Sequence, residues 1–119
     1  MDGLIAEGIT PWVLVEGVCD QRLETFAQVP PGKVVYHIEG SDIFRAKEIM
    51  REAACLRGNM PPSIMSAGTP DDVRRYAKRL IDLVGQDGGF IMCCATSITD
   101  AKVENVRALF DFTRDYGRY

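Results

Sequence analysis

Four short apolar runs, each followed by a segment with helical spacing, set narrow limits on how this chain can fold. They are Trp12 to Val15, Val34 to Ile38, Cys55 to Arg57 and Phe90 to Cys94. The runs are continuously apolar rather than alternating, which suits strands covered on both faces, as in a parallel sheet. The order reads β-α-β-α-β-α-β-α, with a short extra turn near Pro62 to Ser66.

The helices carry readable ends. Asp20 is suited to cap a helix bearing Leu23, Phe26 and Ala27, which stops before Pro30-Pro31-Gly32. Ser41 is suited to cap the next, where Ile43, Ala46, Ile49, Met50 and Ala53 follow helical spacing. In the third, Thr69 is the N-cap, Pro70 takes the first helical position, and Asp71 and Asp72 complement the dipole. Its inward stripe is Val73, Tyr76, Ala77, Leu80, Ile81 and Val84. The last helix is expected from about Ala101 to Tyr116, with Val103, Val106, Leu109, Phe110 and Thr113 inward.

At 119 residues the chain suffices for one domain, residues 1–119, and not for two. A (β/α)8 barrel uses roughly 250 residues, about 30 per βα unit, so four units make half of one. A half-barrel leaves both outer strands unpaired and its inner face open to water. Either two copies close against each other, or a complementary half-barrel completes the structure, or the chain is part of a longer protein in which Met1 is internal. A flavodoxin-like domain fits the length as well, but requires a fifth strand that the sequence does not offer.

A net charge of -3 and a pI near 5.1 argue against a nucleic-acid or anionic-membrane partner. The basic cluster Arg74, Arg75, Lys78 and Arg79 lies on the polar side of its helix and reads as a solvated face. No apolar stretch approaches the ~20 residues needed to span a bilayer, and the N-terminus lacks the pattern of a signal peptide. Cys19, Cys55, Cys93 and Cys94 form no C-x-x-C pair. Cys93 and Cys94, adjacent in a strand, point to opposite faces. Reduced thiols and a cytoplasmic location are the expectation.

In order, Glu16-Gly17, Pro31-Gly32-Lys33, Gly58-Asn59-Met60-Pro61, Gly68-Thr69-Pro70, Gly88-Gly89-Phe90-Ile91 and Glu104-Asn105 resemble the C-terminal half of the uroporphyrinogen decarboxylase superfamily. That resemblance implies a (β/α)8 barrel fold and one of two activities, haem-pathway decarboxylation or corrinoid-dependent methyl transfer. The decarboxylases carry Gly-His-Gly after the last strand, where this chain has Ala95-Thr96-Ser97. The likeness therefore points first to the methyltransferase-like branch, with a methylated corrinoid on a partner protein as donor. Methyltransferases of that branch bind zinc through a His-x-Cys pair and a late cysteine. The matching positions here are Leu14 and Glu16, and Ala95 or Thr96, which leaves Glu16 as an oxygen ligand for zinc.

Polar residues at the carboxyl ends of strands are the candidates for chemistry, because barrel enzymes build their sites there. Glu16 ends the first strand and His37, the only histidine, the second; both are candidate catalytic residues. Asn59, Asp42 and Thr96 are candidate substrate contacts. Each also has a structural alternative: an ion pair for Glu16, a packed side chain for His37, a helix start for Asp42, turn chemistry for Asn59 and a loop role for Thr96. Neither G-x-G-x-x-G nor a Walker A motif is present, so nucleotide binding has no support. A non-catalytic half-barrel that dimerises or binds a partner is the alternative function.

Overall fold

The computed structural model describes residues 1–118. Its elements are α1 (Asp2–Ala6), β1 (Trp12–Val15), a 3-10 turn (Asp20–Arg22), α2 (Leu23–Phe26), β2 (Val35–Ile38), α3 (Ile43–Met50), β3 (Cys55–Met60), α4 (Pro62–Ala67), α5 (Pro70–Leu83), β4 (Phe90–Cys94) and α6 (Val103–Tyr116). The strands form one parallel sheet in the order β1-β2-β3-β4. In register, Val15 faces Ile38, His37 faces Arg57 and Met60 faces Cys94. Strand order equal to chain order is the winding of consecutive βα units in a (β/α)8 barrel. A doubly wound flavodoxin-like sheet reverses order at a switch point, so that reading is excluded.

The core lies between the sheet and the helices. Val15, Tyr36, Ile38 and Leu56 pack with Leu23, Ile43, Ala46, Met50, Leu80 and Val84. A second cluster joins Met60 to Met65, Val73, Ala77, Ala108 and Leu109, and Tyr76 and Met92 touch both. Alternation along the strands sends Trp12, Leu14, His37, Arg57 and Cys93 to the opposite, helix-free face. There Trp12 is 62% and Leu14 54% exposed, and β1 and β4 have no outer partner among the described residues. No described helix is long and apolar enough to cross a membrane.

The third helix starts as expected. Thr69 Oγ1 accepts from Asp72 N while the Asp72 carboxylate accepts from Thr69 N, a reciprocal capping box that holds the Asp72 carboxyl below the usual range. Most of its cluster of cations is solvated: Arg74, Arg75 and Lys78 pair with Asp71, Asp72 and Asp82. Arg79 lies over Phe44.

Four expectations need correction. The helix after β2 is capped by Asp42, whose Oδ1 accepts from Phe44 N and Arg45 N, and not by Ser41, which is spent on the β1 loop. Asp20 opens a 3-10 turn without capping it and instead accepts from Asp42 N. Strand β3 continues three residues past Arg57, because Gly58 serves close packing rather than a turn. A Cβ there would meet Ile38 O at 2.8 Å. Helix α6 buries Asn105, Ala108 and Leu109 and leaves Val103 (64%) and Phe110 (70%) exposed.

The cause of that last rotation is Asn105. Its Nδ2 lies 3.2 Å from Ile64 O, 3.0 Å from Met65 O and 3.0 Å from Gly68 O, adding a donor to the carbonyls at the end of α4. Burying this amide turns Ala108 and Leu109 inward against α4 and α5, and Val103 and Phe110 outward past the β4 edge. Asn105→Ala removes the amide's bonds to these carbonyls, which keep Gly68 N, Lys102 N and Lys102 Nζ as donors, and is expected to lower stability by about 1–2 kcal/mol in urea unfolding. Asn105→Asp, which sets a charge against the same carbonyls, should cost more.

Candidate active-site face

The carboxyl ends of β1 and β2 are joined by side chains. Glu39 Oε2 accepts from Gly17 N at 2.8 Å, and Ser41 Oγ accepts from Cys19 N at 2.7 Å. With the Asp20–Asp42 bond at 3.0 Å, these fasten the two loops into one rim. The backbones approach so closely that a Cβ on Gly40 would lie 2.9 Å from the Gly17 carbonyl.

Below the rim, on the helix-free face, the chain gathers its most distinctive polar group. Arg57 Nη1 is 2.6 Å from His37 Nδ1, and His37 Nε2 is 3.1 Å from the Cys94 carbonyl. A guanidinium has no acceptor, so Nδ1 accepts, and Nε2 carries the ring proton and donates to Cys94. The Arg57 guanidinium also lies 5.7 Å from the centre of the Trp12 ring. One arginine thus connects β1, β2, β3 and, through His37, β4. A cleft of about 340 Å³ adjoins it, lined by Leu14, His37, Glu39, Arg57 and Cys93 to Ser97.

The structure brings His37 and Thr96 into this cleft; Thr96 is exposed on its wall. Glu16 is exposed at the end of β1 and makes no ion pair among the described residues, so its structural alternative is not realised. Asp42 is engaged as the α3 cap. Asn59 is buried, its Nδ2 3.4 Å from Ser41 O and its Oδ1 accepting from Tyr76 Oη at 3.3 Å, so it holds the β2 loop to α5. Arg57 and Trp12 were not singled out from the sequence. The signal was there: an arginine in the middle of an apolar strand of a parallel sheet requires an explanation.

No three of His, Cys, Asp and Glu gather to hold a metal ion among the described residues. Cys94 packs on the helix side with the Met60 cluster, where burial, and then Cys93, push its thiol up. Burial likewise raises the Cys55 thiol, with Lys47 opposing.

The family follows from comparison with known proteins. The uroporphyrinogen decarboxylase (URO-D) pattern matches residues 7–116, nearly the whole chain. The chain belongs to the uroporphyrinogen decarboxylase family. It is similar to a protein of Azoarcus sp. (strain BH72) named uroporphyrinogen decarboxylase, 33% identical over 78 residues, which cover 65% of this chain and 22% of that protein. A protein of the same name from Chlorobium phaeovibrioides (strain DSM 265 / 1930) is 29% identical over 80 residues, covering 64% of this chain and 22% of its own length. The URO-D match and the sequential parallel sheet together give the fold as four consecutive βα units of a TIM barrel. The aligned segment spans only about a fifth of either relative.

A raised thiol pKa means less thiolate at a given pH, and the thiolate is the reactive form. At pH 8, Cys55 and Cys94 should therefore be alkylated several-fold more slowly than the same residues in denaturant. Peptide mass spectrometry after brief iodoacetamide treatment checks this, and the gap should narrow as pH rises past 9.

Proposed function

We propose that this chain supplies four βα units to the substrate-enclosing barrel of a uroporphyrinogen decarboxylase-family enzyme, and acts only when further units close that barrel. The observation that carries this reading is the combination of two unpaired outer strands with an exposed helix-free face bearing Trp12, Leu14, His37 and Arg57. Closure removes both edges and places that face inside, where barrel enzymes bind substrate. The completing units come from the remainder of a longer chain, from a second polypeptide or from a second copy.

The reaction assigned first is that of the relatives' name, loss of a carboxyl group from a uroporphyrinogen-like substrate. In this assignment the chain binds and encloses the substrate, and the acid–base groups come from the completing units. Methyl transfer from a methylated corrinoid on a partner protein is the second reading. It is favoured by Ala95-Thr96-Ser97, which stands where the decarboxylases carry Gly-His-Gly. Any zinc in that reaction needs ligands from outside this chain, with Glu16 as the one it offers.

Light scattering tests the first claim. The 119-residue chain alone is expected to self-associate, and a monodisperse, stable monomer at high concentration contradicts the half-barrel reading. Phe110→Asp, which charges the outward face of α6 beside the β4 edge, should reduce self-association and impair closure without lowering helix content. For the reaction, the closed barrel is given uroporphyrinogen, or methylcobalamin together with a nucleophilic methyl acceptor such as a thiol or tetrahydrofolate. Carboxyl loss supports the first reading. A spectral change of the corrinoid, lost on Glu16→Ala together with bound zinc, supports the second.

A further inference from the structure

Arg57 carries a positive charge that no ion pair among the described residues neutralises. Every ion pair among the described residues lies on α5 or α6, and none includes Arg57. Glu39 is the acidic residue lining the same cleft, and its carboxylate is turned to the Gly17 backbone N–H. Of the five guanidinium N–H donors, only one, on Nη1, has a partner among the described residues. A half-buried charge with open donors, on a face that closure desolvates further, calls for an anion from outside.

The support around Arg57 suits a binding group better than a packing group. His37 Nδ1 on one side and the Trp12 ring on the other restrict the guanidinium to one plane, and His37 is itself held by the Cys94 carbonyl. Fixing the fork beforehand reduces the ordering cost of binding. The surroundings define the ligand. Trp12, Leu14 and Ala95 are apolar and Thr96 adds a hydroxyl, while Arg57 is the single cation lining the cleft. One planar cation among apolar groups matches a singly charged, planar carboxylate on an apolar body better than a phosphate dianion.

We propose that Arg57, positioned by His37 and Trp12, is an anion subsite for the carboxylate of an organic acid with an apolar body. The inference rests on the reading that the helix-free face is the substrate side. His37 is in this arrangement a positioning residue, since its ring nitrogens are engaged by Arg57 and Cys94.

Trp12, the sole tryptophan, lies beside the guanidinium and reports on it directly. Fluorescence excited at the red edge of tryptophan absorption is followed while the chain is titrated with benzoate, with benzamide as the neutral counterpart and phenylphosphonate as the phosphate-class probe. Benzoate should bind at least about tenfold more tightly than benzamide, the effect of one charge-assisted hydrogen-bonded pair. Arg57→Gln should abolish that preference and Arg57→Lys keep part of it, each with the circular dichroism of the parent chain. Equal binding of benzoate and benzamide, or a preference that survives Arg57→Gln, overturns the subsite. Tighter binding of phenylphosphonate overturns its assignment to carboxylates. Light scattering on the same samples separates this from the half-barrel reading, because Arg57→Gln leaves self-association unchanged if only the subsite is lost.

Discussion

Strand order governs the rest of this molecule. Because each strand pairs beside the one before it, every crossover delivers its helix to the same side of the sheet. The helices then cover one face, in two core clusters bridged by Tyr76 and Met92, and leave the other face bare. An arginine–histidine pair in the middle of a parallel sheet is tolerable only on such a face, where water or a ligand can reach it. The same winding leaves β1 and β4 without outer neighbours. Fold, polar cleft and open sheet edges share one origin.

Much of this was legible in the sequence, and the departures have identifiable physical causes. Strands β1 and β4 have the bounds read from their apolar runs, and the Thr69 start of α5 follows from capping chemistry alone. β3 was read three residues short because glycine and asparagine carry turn statistics, whereas Gly58 is there for its missing Cβ against Ile38 O. In α6, hydrophobicity favoured Val103 and Phe110 over Asn105. A buried amide satisfying the end of another helix is a tertiary requirement that periodicity does not encode. Between Ser41 and Asp42, both good caps, the choice turned on which residue Cys19 required.

The candidate site was legible in position more than in membership. Reading strand ends selected His37 and Thr96, and the fold places both on the lining of one cleft. Asn59 and Asp42 lie at the same level but hold the scaffold, one between Ser41 and Tyr76 and the other at the start of α3. Arg57 lies lower in its strand than a strand-end search reaches. Its importance comes from neighbours contributed by three other strands, which a linear sequence does not place beside it.

The rim is fastened unevenly. Its β1 and β2 portions are joined by Glu39, Ser41 and Asp20, all bonded across the gap. After β4 the chain is anchored where Ala95 N meets Met60 O and again where Lys102 N meets Met65 O. Thr96 to Asp100, between those anchors, are exposed and make no backbone hydrogen bond to the body among the described residues. Local opening needs the least free energy where backbone is least tied. The stretch after β4 is therefore where this rim opens most readily, while the β1–β2 side holds its shape.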